Sequence, residues 1–337
     1  MLNLNTPVTV SLTSFPQRIG VVGDVIKSIL SQSVKPDRVL LWLSEDQFPD
    51  REASLPKALT NLVADGLEIM WCDDMRPHKK YFYTMQKYPD DIIITVDDDV
   101  EYKPDTVEKL LKSYMRFPFA VSALRAHRIT FDENGKLKPY EQWERGMKTA
   151  HFPSHALIAT GVCGVLYPPR CFGDMAFNKE FIKENCLNAD DLWLKIMEII
   201  HNVPVVLAAP SEDVKTIKGS QTEALYKSND LADKNDMQFR NILSAYNSCV
   251  GSCTIEERLR ISSLAFEGGS SFGNEAAAAQ LDLVKNELKA VKGSFEYRLG
   301  RTVTILPRAV KTFTDCIGDN GFGYTVKLVL KKLRIRR

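Results

Sequence analysis

Residues 90–100 read DDIIITVDDDV: two aspartates, a β-favouring run from Ile92 to Val96, then Asp97, Asp98 and Asp99 in succession. The β-favouring run reads as an apolar strand that ends in three side-by-side carboxylates. Three adjacent carboxylates repel one another. A fold that fixes them at a strand end must therefore supply a cation, hydrogen-bond donors or full solvation.

Outward from this strand, the first 115 or so residues alternate strand and helix patterns. Pro7–Leu12, Arg38–Leu43 and Leu67–Trp71 read as strands. Val21–Ser31, Leu55–Ala64 and Phe82–Lys87 read as helices, as does Pro104–Arg116, which opens with Pro104 and Asp105 in the manner of helix starts. The alternation predicts right-handed βαβ units in an α/β domain with a mainly parallel, Rossmann-like sheet flanked by helices. Ligands of such sheets bind beyond the carboxyl ends of the strands, which is where Asp97–Asp99 fall. After residue 120 the pattern is less regular: strands at Ala120–Ala123, Leu157–Tyr167 and Pro204–Ala208, and a helix at Ala189–Ile200.

The chain has 337 residues, 44% hydrophobic and 26% charged, enough for one large domain and an appendage. Seven cysteines show no CxxC and no paired metal spacing, which suits reduced thiols in a cytoplasmic protein. The start MLNLNTPVTV has no signal-peptide pattern, and no run approaches the roughly 20 apolar residues of a membrane span. The net charge of +1 hides an asymmetry. Residues 284–337 hold 13 Lys/Arg against 4 Asp/Glu, a net +9, leaving −8 for residues 1–283. The expected organisation is a domain over 1–265, a Gly/Ser-rich linker over 266–274 (FEGGSSFGN) and a helical, basic tail over 275–337.

Oxygen-rich acidic clusters suit Mg²⁺ or Mn²⁺, which combine one or two carboxylates with substrate phosphates. Strand alternation points Asp97 and Asp99 the same way and Asp98 elsewhere, towards backbone N–H donors. The plain alternative is a solvated acidic turn.

Four pieces in order, VTVSLTSFPQR, YPDDIIITVDDDV, GVLYPP and NADDLWLKI, resemble bacterial nucleotide-sugar-dependent glycosyltransferases of the GT-A fold, close to family 2 and to capsular or cell-surface polysaccharide transferases. The resemblance spans roughly residues 7–245. It implies that Asp99 ligates a divalent metal (Mn²⁺ or Mg²⁺), with Asp97 near the metal or the ribose and Asp98 in support. It implies further that the loop of Thr13, Ser14 and Phe15 borders the nucleotide, with Arg18 in reach of phosphate. Asp73 or Asp74 matches an acidic residue that contacts the base, and Lys80 and Tyr81 match a Lys/aromatic pair lining the donor pocket. For His78 and Lys79, solvated helix-start charge is an equal reading.

The second acidic pair, Asp190 and Asp191, opens the Ala189–Ile200 helix, where a carboxylate commonly caps the first turn. In the resembled family an acidic pair here furnishes the base that deprotonates the acceptor hydroxyl. Asp191 matches that base, although Asp-Asp replaces the commoner Glu-Asp. Gly161 and Gly164, in a stretch that is not a GxGxxG, read as a tight strand turn; the resemblance puts this loop beside sugar and acceptor. His151 and His155 read as loop or core histidines, because Phe152-Pro153 argues against a shared helical face. Asn235, Asp236 and Gln238 read equally as site closure or a helix start. A late histidine that often completes the metal shell has no clear counterpart.

The function implied is a hexosyltransferase-type enzyme moving a sugar from a nucleotide-sugar donor, UDP-sugar favoured, to a hydroxyl of a surface polysaccharide or lipid-linked glycan. Thr325–Ile335 sets Val326, Val329, Leu330 and Leu333 against Lys327, Lys331 and Arg334, the pattern of a basic amphipathic helix. It predicts peripheral attachment to the anionic inner face of the plasma membrane rather than a nucleic-acid arm, since no aromatic stacking platform accompanies it. Glu275–Val291 reads as a helix through which copies of the chain can associate. Two other readings are a sugar nucleotidyltransferase, against which the glycine-free TSFPQR counts, and a non-catalytic membrane-bound scaffold.

Overall fold

The computed structural model describes residues 6–149, 152–211, 215–217, 234–248 and 253–267. Strands β1 (Val8–Thr13), β2 (Arg38–Ser44), β3 (Leu67–Cys72), β4 (Ile92–Thr95), β5 (Val121–Ala123), β8 (Val165–Tyr167) and β9 (Val205–Leu207) form one sheet, ordered β3-β2-β1-β4-β8-β5-β9. Only β8 runs antiparallel to its neighbours, pairing with β4 and β5. The other pairings, β1 with β2 and β4, β2 with β3, and β5 with β9, are parallel. A hairpin of β6 (Ala126–Arg128) and β7 (Leu157–Ala159) stands beside it. This is the mainly parallel α/β sheet flanked by helices that the alternating pattern implies.

The isoleucine run shows why both faces are covered. Ile92 and Ile94 enter the core formed with α1 (Val22–Leu30) and α4 (Thr106–Arg116). Ile93 turns to the other core, where Phe82 and Met85 of α3 (Lys79–Lys87) and Trp193 and Ile196 of α6 (Asp190–Ile200) pack. Period-two alternation thus serves two apolar layers from one continuous run. From β1 the chain adds β2 and then β3 on one side, and returns to lay β4 on the other. The strand order reverses between β1 and β4, so the loops after these two strands diverge and leave a crevice at their carboxyl ends.

Several local expectations differ from the structure. Leu55–Ala64 is not one helix: α2 spans only Lys57–Thr60, followed by a 3-10 turn over Asn61–Asp65 that ends at Gly66 with φ +110°. Helix α3 starts three residues before Phe82, because a 3-10 turn over Arg76–His78, with Pro77 in its first turn, leads straight into it. Leu157–Tyr167 is interrupted by a turn over Gly161–Cys163, and Gly164 adopts φ +99°, a conformation costly for residues with a Cβ. The last described helix runs Ile255–Glu267, so the first two residues of the expected linker are helical. Residues 268–274 and the 275–337 tail lie outside the described residues, as does His151.

Candidate active site

The crevice between β1 and β4 is organised by paired charges. Asp98 is buried, and its carboxylate receives the Ser14 hydroxyl at 2.6 Å and Arg18 Nη1 at 2.6 Å. The expected backbone donors are replaced by side chains because the loop after β1 turns back, Arg18 N donating to Phe15 O. Arg18 also lies 3.1 Å from Asp99 Oδ2 and 5.4 Å from the Phe15 ring centre. Burial opposes the guanidinium charge, but Asp98 and then Asp99 outweigh it and raise the Arg18 pKa further. Burial pushes the Asp98 carboxyl up, against the pull of Arg18 and Ser14. Thr13 turns from the cluster and donates to Trp42 O of β2 at 2.9 Å.

The three aspartates lie just past the end of β4, yet the alternation continues: Asp97 and Asp99 are partly exposed and Asp98 is buried. Asp97 is fixed from both sides. Its amide donates to the Tyr102 hydroxyl at 2.7 Å, and its Oδ1 receives Lys80 Nζ at 2.7 Å. Lys80, with a side chain 6% exposed, lies also 3.0 Å from Asp190 Oδ2, an ion pair without hydrogen-bond alignment. One ammonium thus joins the end of β4 to the start of α6, more than 90 residues apart in sequence. It is held there because the first turn of α3 is pinned to β1. The Ser11 hydroxyl donates to Lys80 O at 2.6 Å and meets Thr84 Oγ1 at 2.8 Å, and Thr84 in turn accepts Trp42 Nε1 at 2.7 Å.

Asp190 is not the cap of α6. Ala189 occupies that position with no side-chain cap, and the Asp190 carboxylate is committed to Lys80 instead. Burial works against its ionisation, but the nearby Lys80 charge overrides this and holds it below the usual carboxylate range. Asp191 goes the other way: burial first, and Asp190 beside it second, push its carboxyl well above that range. Its Oδ2 receives the Gly161 amide at 3.4 Å. Gly161 therefore touches both halves of the site, since a Cβ there would sit 3.0 Å from Lys80 Nζ and 3.1 Å from Asp97 Oδ1. Gly164 lies outside this cluster, against Leu110, Thr106 and Tyr102.

The base-contact candidates are engaged elsewhere. Asp73, after β3, pairs with Lys179 of α5 (Lys179–Asn185) and accepts the Tyr83 hydroxyl; against the upward push of burial these partners bring its pKa to about 2. Asp74 holds Lys79 Nζ at 2.7 Å, with Arg76 Nε at 3.4 Å. His78 and Lys79 are not solvated helix-start charges: both are buried. His78 Nε2 donates to Cys186 O at 2.9 Å, so its Nδ1 accepts the Tyr81 hydroxyl at 3.1 Å, and burial lowers its pKa to about 4, keeping it neutral. Tyr81 is fully buried, its hydroxyl on His78, rather than lining a pocket. Asp236 accepts the Tyr140 amide at 2.9 Å and Gln238 the Asn188 amide at 3.2 Å, so the helix Lys234–Tyr246 braces the approach to α6. His155 binds Asn202 Oδ1 at 3.1 Å. Tyr102 and the Ser11–Thr84–Trp42 chain carried no sequence signal beyond residue type.

Among the described residues no three His, Cys, Asp or Glu side chains converge into a preformed metal shell. The donor set nevertheless fits a hard divalent cation. Asp98 is consumed by Ser14 and Arg18, whereas Asp97 and Asp99, with side chains 29% and 14% exposed, present carboxylate oxygens to the crevice. Such a site takes its remaining ligands from phosphate and water, as Mg²⁺ sites commonly do.

No family model and no curated protein matches the chain. Solved structures with some likeness include the mannosyltransferase PcManGT from Pyrobaculum calidifontis in complex with GDP-Man and Mn²⁺, at 10% identity over 94% of this chain and 89% of that one, with a TM-score of 0.46. Residues 1–349 of S. aureus TarS align at 11% identity over 93% and 81%, with a TM-score of 0.45. Glucosyl-3-phosphoglycerate synthase from Mycobacterium tuberculosis, with Mg²⁺ and UDP, aligns at 12% identity over 71% and 79%, with a TM-score of 0.41. Likenesses this distant carry no weight in the reading of the site, which rests on its own geometry.

Proposed function

We propose that the chain is a metal-dependent glycosyltransferase that uses a nucleotide-sugar donor and a hydroxyl acceptor. The observation that carries the reading is the convergence of two acidic groups on Lys80. The triplet at the switch point of the sheet stands beside the pair at the start of α6, so a diphosphate subsite adjoins a buried carboxyl.

Asp97 and Asp99 would hold Mn²⁺ or Mg²⁺, which when bound supplies electrostatic stabilisation of the departing diphosphate. Arg18 and Lys80 line the same crevice and balance phosphate charge. Asp191 serves as the base: it is half-buried at the start of α6 beside the Gly161 amide, where its carboxylate, once ionised, takes the acceptor's proton. The bond from the anomeric carbon to the phosphate oxygen breaks with its electrons on the diphosphate, and the acceptor oxygen bonds to that carbon as its proton passes to Asp191. Asp190, ionised against Lys80, positions the start of α6. Gly161 leaves space at the meeting of the two halves.

The finer assignments belong to the same proposal: a UDP-sugar donor, a surface-polysaccharide or lipid-linked glycan acceptor as in capsule synthesis, and attachment to the inner membrane face through the basic tail. Among the described residues no helix is long and apolar enough to cross a membrane. Thermal shift with UDP, GDP, CMP and TDP, each with and without Mn²⁺, tests the donor site. The expected result is a rise in midpoint for one nucleotide that requires Mn²⁺ and disappears in Asp99→Ala. No rise with any nucleotide overturns the reading.

A further inference from the structure

The acidic cluster is already partly neutralised by the protein's own cations, two against four aspartates. Lys80 Nζ, 2.7 Å from Asp97 and 3.0 Å from Asp190, and Arg18 Nη1, 2.6 Å from Asp98 and 3.1 Å from Asp99, lie against the oxygens a divalent cation would use. Both side chains are at most 8% exposed, so neither swings freely into solvent. Lys80 is hemmed further by Gly161, where even a methyl group would press on the ammonium. A divalent cation entering alone must therefore approach two fixed positive charges and compete with them for Asp97 and Asp99. A diphosphate changes the balance, because its oxygens accept from Lys80 and Arg18 while they ligate the metal.

From this geometry we infer that Lys80 and Arg18 are positioning residues that couple metal and diphosphate binding: they hold the aspartates against bare metal and transfer their contacts to phosphate when metal and diphosphate arrive together. The inference rests on the donor-site reading above. Coupling of this kind is reciprocal, so the metal tightens the nucleotide by the factor by which the nucleotide tightens the metal. Its sign under substitution is specific. Removing Lys80 should make bare metal bind better and nucleotide worse, whereas a merely structural role predicts that both weaken.

Electron paramagnetic resonance of free Mn²⁺, titrated with the full chain in the absence and presence of UDP, GDP or TDP, reads this without an activity assay. In the wild type, the bound nucleotide is expected to tighten Mn²⁺ by about tenfold or more. Lys80→Met should bind bare Mn²⁺ several-fold more tightly and lose most of the coupling, and Lys80→Arg should keep it. Weaker bare-metal binding by a folded Lys80→Met, with the wild-type coupling present, overturns the inference while leaving the donor site intact; equal Mn²⁺ affinity with and without nucleotide in the wild type overturns both the inference and the Mn²⁺ requirement of the donor site. If circular dichroism shows that Lys80→Met does not fold, Arg18→Gln is read for the same sign. Failure of the wild type to bind Mn²⁺ with any nucleotide, matching Asp99→Ala, overturns the donor-site reading and the inference with it.

Discussion

Two glycines three residues apart divide the roles of the β7–β8 turn. Gly161 has no positive φ, so a methyl group there strains no backbone and meets the Lys80 ammonium at 3.0 Å and the Asp97 carboxylate at 3.1 Å. Gly161→Ala should cost less than about 1.5 kcal/mol of stability, while the displaced bridge lowers transfer activity by about tenfold to a hundredfold. Gly164 has φ +99°, and a methyl group there meets only Leu110, Thr106 and Tyr102 at ordinary contact distance, so Gly164→Ala should cost about 1–2 kcal/mol through backbone strain. For a domain of this size that is a loss of roughly 2–8 °C in Tm, with activity per folded molecule largely kept. Thermal melts beside donor-turnover assays of both variants check the contrast, and equal stability losses would count against it. The glycines could be read from the sequence as a turn. Which of them touches the charges could not, because that depends on Lys80, placed by a 3-10 turn and a hydroxyl chain whose members are far apart in sequence. The acidic residues were legible for the opposite reason: Asp97–Asp99 and Asp190–Asp191 are contiguous, and each stands at the boundary of an apolar element.

At the scale of elements, α6 carries charge at two depths. Asp190 and Asp191 open it at the site, while Lys195 and Glu198 form a fully buried pair at 3.0 Å one turn further on. Burial pushes the Glu198 carboxyl up to about 7 despite Lys195, and the same burial lowers the Lys195 pKa. Between its unfolded value near 4.5 and about 7, Glu198 keeps in the folded state a proton that the unfolded chain has released, so its contribution to stability falls as pH rises through that window. Buried histidines act oppositely. His78 and His127, lowered to about 4, cost stability as pH falls below their unfolded value near 6.5. The whole-chain curve mixes both signs, and the difference between Glu198→Gln and wild type isolates one. Denaturant unfolding should show the variant gaining on wild type by on the order of 1–3 kcal/mol between about pH 5 and pH 7.5. A pH-independent difference would show that the pair does not titrate in this range. The fold around α6 was legible from its periodicity, but the partner of each charge was not: a helical wheel gives the spacing of Lys195 and Glu198 without saying that both are buried.

At the scale of the molecule, charge is divided along the chain rather than over one surface. Residues 284–337 carry a net +9 and residues 1–283 a net −8, so an anionic membrane attracts one end and repels the other. On the proposed attachment the tail would also orient the chain: bound by its basic end, it would present the acidic residues 1–283 away from the lipid charge. Each Lys or Arg held near an anionic leaflet contributes about 1 kcal/mol, and Val326, Val329, Leu330 and Leu333 add apolar area. The full chain should therefore float with vesicles containing roughly 30% phosphatidylserine and stay unbound with neutral ones. A chain truncated at residue 275 should not float with either. Because the attraction decays within a Debye length, about 0.5 M salt should release much of the bound protein, leaving the part held by apolar insertion. Flotation of the truncated chain equal to that of the full chain would place attachment in the acidic domain and remove the tail's role. Flotation that needs the tail but ignores salt would assign the attachment to the apolar face alone.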